Sequence, residues 1–149
     1  MSKLVQAFLS GVFFTFFLDF FLFLGIQLNY IDFYNIDLYY NILFADNQNI
    51  YIYLLLTTLL GYLITYVKSP SFALITISIL SILSLSTLIE PIGHKVGSII
   101  LASENVRLKD NKFTYIGDIY YNGRTEITFY DYDIKKIITL HKKDLKNEK

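Results

Sequence analysis

The chain has 149 residues, 54% of them hydrophobic, with 13 basic and 13 acidic side chains and no cysteine. Zero net charge argues against a nucleic-acid partner, which calls for a basic excess, and the lack of cysteine removes disulfide frameworks, thiolate metal sites and cysteine nucleophiles. The mean hydropathy of +0.43 is unevenly spread, since residues 1–89 hold only six of the 26 charges, which is the arithmetic of a membrane protein rather than of a soluble core.

Residues 4–28 run apolar except for Asp19. A helix of that length crosses a hydrocarbon core of about 30 Å with some tilt. It exceeds a secretory signal core and lacks a cleavage site, so an uncleaved transmembrane helix is expected. Ala7, Gly11, Thr15 and Asp19 recur at every fourth residue, with Lys3 one step earlier. Steps of four drift by only about 40° on a helix, so these positions form one slowly twisting stripe. Residues 29–49 contain Asp32, Asp37 and Asp46 but no Lys or Arg. Ile31, Tyr34, Leu38 and Ile42 fall at helical spacing and predict an interfacial helix over 31–44, with a loosely folded loop as the alternative.

Residues 50–67 carry no charge and place Tyr51, Tyr53 and Tyr66 near their ends, where aromatic rings settle at a membrane interface. Thr57, Gly61 and Thr65 repeat the fourfold stripe. Lys68, Ser69 and Pro70 make a short turn into residues 71–89, again uncharged. The local alternation there resembles a strand, but an isolated strand in lipid leaves its backbone unsatisfied, so a third helix is expected. The short turn predicts that the second and third helices form a tight antiparallel hairpin. Glu90 and Pro91 end the third helix, closing a membrane domain over 1–90.

Residues 91–111 read as a linker with a short apolar segment at 96–102. Pro91 and Gly93 argue against a helix there, which separates Glu90 from His94. Residues 112–141 are rich in aromatic and β-branched side chains and read as a β-sheet domain. Asn122 and Gly123 predict a two-residue hairpin turn that pairs Tyr121 with Arg124, Ile119 with Glu126 and Tyr115 with Tyr130. Asp131 to Asp133 then turn the chain into a last strand, Lys136 to His141, and 142–149 is a polar tail. The expected fold class is an α+β integral membrane protein, with three transmembrane helices followed by a small antiparallel β-domain, SH3-like or OB-like in size.

Lys3 and Lys68 flank the first two turns of the chain across the bilayer, and the loop between them has no basic residue. By the positive-inside rule this predicts a multi-pass protein of a bacterial inner or cell membrane, N-terminus inside and β-domain outside; Lys95, Arg107 and Lys109 pull the other way.

Asp19 is the sharpest chemical feature, because an ionised carboxylate at membrane depth costs about 2.5–3.5 kcal/mol on insertion scales. One reading hydrogen-bonds it across a helix interface; the other makes it a proton or ion site. The first is favoured, since an ion path calls for further ionisable groups at that depth. Ala7, Gly11 and Thr15 on one helix and Thr57, Gly61 and Thr65 on the next are helix-packing candidates, because small residues let backbones approach closely in lipid. Ser78, Ser81, Ser84 and Thr87 line one side of the third helix and are read as hydrogen-bonding within the bundle rather than lining a pore. His94 and His141 share no metal-ligand spacing. Asp131 and Asp133 point to one side of an extended segment, a pattern suited to a hard cation but also common in turns. No catalytic, cofactor or metal signature emerges. The function expected is a non-enzymatic accessory or scaffolding subunit of a membrane complex, its partners being the lipid bilayer and other membrane subunits or further copies of itself. The alternative is a self-assembling small transport, pore or holin-like protein that uses Asp19.

Overall fold

A computed structural model describes residues 2–110 and 112–145; Asn111, at the end of the expected linker, and positions 146–149 of the polar tail lie outside the described residues. The chain forms two compact units, residues 1–94 and 95–149.

The first unit is helical. Helix α1 (Lys3–Ile26) opens on Ser2, whose hydroxyl accepts the Val5 N–H at 3.3 Å and so satisfies one of the free amides of the first turn. It continues into a π-helical turn, Gln27–Ile31, where the Asp32 N–H reaches back five residues to the Gln27 carbonyl at 3.0 Å. Together they make a 29-residue helix long and apolar enough to cross a membrane alone. Helix α2 (Tyr40–Asn47) bends by 84° into α3 (Ile50–Tyr66), and α4 (Pro70–Ser86) bends by 90° into α5 (Glu90–Leu101). Up to three spans result if each bent pair counts as one. Side chains start the helices after the bends and turns: Asn49 accepts from the Tyr51 and Ile52 amides, and Ser69 from the Phe72 amide, with Pro70 in the first turn of α4.

Three expectations are corrected here. The helix over 31–44 does not form as such: Asn35 takes a left-handed backbone conformation, φ 51°, which stops helical propagation, and the helix begins only at Tyr40. Residues 91–101 are helical rather than a linker, because Pro91 falls in the first turn of α5, where its missing N–H has no helical acceptor to lose. The hairpin of α3 with α4 is weak; both pack chiefly on α1, α3 running antiparallel to it and α4 parallel.

The second unit begins within α5, at Lys95, and continues as a four-stranded antiparallel meander, with β1 (Ser103–Lys109), β2 (Thr114–Asn122), β3 (Glu126–Asp131) and β4 (Lys136–His141) adjacent in chain order. β1 lies inside what the sequence reads as linker; its alternation of Val106 and Leu108 with charged residues is too short to stand out. Ile119, Ile127 and Phe129 form the core, joined by Val106, Leu108, Tyr115, Ile138 and Leu140. The pairing of β2 with β3 differs from the expected register: Ile119 lies opposite Phe129 and Asn122 opposite Ile127, with an irregularity between Ile119 and Tyr121. A two-residue turn would set Ile119 against Glu126 and leave Phe129 on the other face. A one-residue change of register moves side chains between faces, so the pairing that unites Ile119 and Phe129 in one core prevails. Neither Asn122 nor Gly123 has a positive φ, and the turn spans Gly123 to Thr125, with the Thr125 carbonyl accepting the Lys142 N–H at 2.9 Å.

Candidate functional site

The α1–α3 crossing is built on glycine. A Cβ on Gly11 would overlap the Thr57 carbonyl, and one on Gly61 would overlap the Ala7 carbonyl. The two fourfold stripes therefore meet each other within the chain, Ala7 against Gly61 and Gly11 against Thr57. Thr15 and Thr57 are wholly buried, and their hydroxyls find no hydrogen-bond partner; the Thr65 hydroxyl is likewise buried and unpaired. Tyr53 ties the seam further, its hydroxyl donating to the Val12 carbonyl at 3.3 Å.

Asp19 sits one step past Thr15 and faces the bend between α2 and α3. The side-chain amide of Gln48 donates to Asp19 Oδ2 at 2.9 Å. Gln48 is the residue after α2, held in place because α2 packs on α1 through rings: Phe44 against Phe16 and Phe23, and Tyr40 against Phe20. The Tyr40 hydroxyl also donates to the Phe20 carbonyl at 3.1 Å. Gln48 escapes notice in the sequence because one amide in the polar run Asp-Asn-Gln-Asn looks like loop composition.

A second polar joint gathers the π-helical turn with the end of α4 and the start of α5. Asn29 donates its side-chain amide to the Thr87 carbonyl at 2.8 Å, and the Thr87 hydroxyl lies 3.1 Å from the Phe21 carbonyl. The Ser84 hydroxyl donates to the Leu18 carbonyl. Gly25 and Gly93 allow this approach, since a Cβ on either would overlap Thr87. The hydroxyls here are divided: Thr76 bonds its own Phe72 carbonyl and the Thr87 hydroxyl lies nearest the Ser84 carbonyl, at 2.7 Å, while Ser84 bonds α1. His94 closes the joint, its ring enclosed by Tyr30, Phe33 and Tyr34 with centroids 5.5, 4.8 and 5.5 Å away. A π-turn shifts the following side chains around the helix, and such turns recur at functional positions. Ser84, Thr87 and His94 of this group stand out in the sequence, whereas Asn29 and the π-helical turn do not.

In the β-unit, Asp131 is buried and its carboxylate accepts the Asp133 and Ile134 amides at 2.8 and 3.2 Å, so it builds the turn to β4 instead of facing Asp133 as a cation ligand. On the opposite face Tyr120 stacks on Tyr130, at 6.0 Å and 14°, and Tyr130 meets Tyr132 edge-on. The Tyr132 hydroxyl donates to Asp118, which also accepts the Asn105 N–H at 3.0 Å. The bond to Asp118 pushes the Tyr132 phenol above its ordinary range, because ionisation would set two negative charges side by side. His141 Nδ1 lies 3.1 Å from Glu126 across the β3–β4 pair. Among the described residues no cluster of three or more His, Asp or Glu side chains is placed to hold a metal ion.

No family model, curated protein or solved structure matches this chain. Asp19, Asn29 and Ser84 hold helices of the first unit together, and the sheet of the second unit carries the adjoining rings of Tyr120, Tyr130 and Tyr132 on one face.

Proposed function

We propose that this chain is a non-enzymatic accessory or scaffolding protein of a membrane complex, spanning the bilayer three times and offering its β-domain to a partner on one side. The observation that carries this reading is the Gln48–Asp19 bond: it ties the one carboxylate of α1 to the α2–α3 bend, as a packing element would be tied. Large apolar side chains such as Leu55, Leu59, Ile75, Ile79 and Ile82 are exposed on α3 and α4, which suits helices facing lipid or other membrane helices. α3 and α4, 17 residues each, are short for spans, and the bends to α2 and α5 support helices that turn to lie along the interface.

The antiparallel α1–α3 seam brings Lys3 and Lys68 to one end of the bundle. That pairing supports an N-terminus inside and, after three crossings, a β-domain outside. A self-assembling pore is disfavoured because Asp19 is bonded to Gln48 rather than left to face a conduction path. Extraction of the full chain in mild detergent, followed by cross-linking and protein identification, tests the reading. Foreign proteins in fixed ratio support a scaffold; copies of this chain alone overturn it in favour of a homo-oligomer.

A further inference from the structure

The helical unit carries a groove that the packing of α1 on α3 leaves open. It has a volume of about 250 Å³ and is lined by Leu4, Ala7, Phe8, Thr58, Tyr62 and Tyr66, among others. Its walls are exposed hydrophobic side chains, and Tyr62 stacks on Tyr66 at 5.6 Å and 18°. The groove ends where α1 begins and α3 finishes. At that level the antiparallel register sets Lys3 beside Leu4 and Lys68 just beyond Tyr66. No Asp or Glu occurs in residues 2–18 or 47–89, so neither lysine has an acidic neighbour along these segments. Two helices also start at this end, α1 at Lys3 and α4 at Pro70, and each presents the positive end of its dipole there.

We propose that this groove binds one phospholipid with an anionic headgroup, an acyl chain lying along Leu4, Phe8 and Tyr62 and the phosphate held between Lys3 and Lys68. The apolar lining matches a hydrocarbon chain, and the tyrosines match the interfacial depth at which amphipathic rings settle. The two lysines select charge, since each basic residue near an anionic surface contributes about a fivefold gain in binding. The inference rests on the membrane placement proposed above, but not on a scaffolding role.

The test uses the full chain purified in detergent and offered an equal mixture of phosphatidylglycerol and phosphatidylcholine, with retained lipid read by native mass spectrometry. The wild type should keep phosphatidylglycerol in roughly 25-fold preference. The Lys3→Ala, Lys68→Ala double variant should lose that preference while still retaining lipid. Thr58→Phe should lower retention of both lipids, because Thr58 is an exposed groove wall and a ring there fills the space. Equal retention of both lipids by the wild type overturns the proposal, and needs no variant to fold. Retention unchanged by Thr58→Phe, in a variant with wild-type circular dichroism, also overturns it by locating the lipid elsewhere. Flotation of the chain with vesicles after alkaline washing is measured alongside: failure to float removes the membrane reading itself, whereas flotation without lipid preference removes only the site.

Discussion

Gln48 reaches Asp19 across 29 residues of chain and donates its amide to the carboxylate at 2.9 Å. The bond fastens the α2–α3 bend to the centre of α1, so the carboxylate acts as an acceptor whether or not it is charged. Asp19→Asn keeps an acceptor oxygen and should leave thermal unfolding in detergent close to wild type. Asp19→Leu strands the Gln48 amide and should cost about 1–3 kcal/mol. Vesicles loaded with a pH-sensitive dye give the contrasting readout: proton flux carried by the wild type and lost in a well-assembled Asp19→Asn variant would transfer the weight to the transport reading.

The α1–α3 seam tolerates no side chain at Gly11 or Gly61, because the space of a Cβ is taken by the Thr57 and Ala7 carbonyls. Gly11→Leu and Gly61→Leu should each destabilise the chain by at least about 1–3 kcal/mol, the cost of overpacking where backbone is the obstacle. Thr58→Ala, on the exposed side of the same helix, should change stability by less than about 0.5 kcal/mol. Unfolding followed by circular dichroism in detergent separates them; equal midpoints for all three variants would contradict the seam.

The second polar joint should be sensitive at Asn29. Replacing it with Ala removes the donor to the Thr87 carbonyl and should cost about 0.5–1.5 kcal/mol. The loss should show as faster amide hydrogen exchange around Thr87 and Leu88, with exchange in β2 and β3 unchanged.

In the sheet, Phe129 is fully buried, and Phe129→Ala should cost about 3–5 kcal/mol. Gly117→Ala should be nearly as damaging for a different reason: its Cβ would overlap the Tyr130 carbonyl of the neighbouring strand. Amide exchange across β2 and β3 in the full chain measures both effects.

Two turns of the sheet should respond to pH in opposite directions. Asp110 accepts the Lys112 and Phe113 amides, and these bonds hold its carboxyl below the ordinary carboxylate range. A depressed pKa means the turn is stabilised at neutral pH and loses that contribution as the pH falls through the lowered value. Tyr132 has a raised pKa through its bond to Asp118, so its contribution is present below the ordinary phenol range and disappears as the pH rises through the raised value. Exchange at the Phe113 amide should therefore rise in acid beyond its intrinsic pH dependence, and Asp110→Asn should remove that excess. At the other end of the scale, Tyr132→Phe should abolish an alkaline transition in the tyrosine absorbance of the sheet.

Much of the helical unit is visible in the sequence, because apolar length in a single segment is a local property. The segments 4–28, 50–67 and 71–89 fall within a few residues of α1, α3 and α4, and Lys136–His141 coincides with β4. The hydroxyl and glycine spacing of α1 and α3 is also local, so Gly11 and Gly61 can be singled out before any partner is known. Elements held by distant contacts are not visible in this way. α5 forms despite Pro91, since what matters is the proline's place within the first turn, and that place depends on where the helix starts. α2 is positioned by the rings of α1, which no periodicity within 31–47 records.

The sequence alone therefore determines the apolar segments and the near-absence of charge over the first 89 residues. Only the tertiary structure decides the partners: that Gln48 meets Asp19, that Asn29 meets Thr87, and that Ile119 pairs with Phe129 instead of Glu126. A hydrogen-bond donor and its acceptor, or two strands in register, are selected by the free energy of the assembled unit. That selection compares contacts far apart in the chain, and a segment read by itself has no access to them.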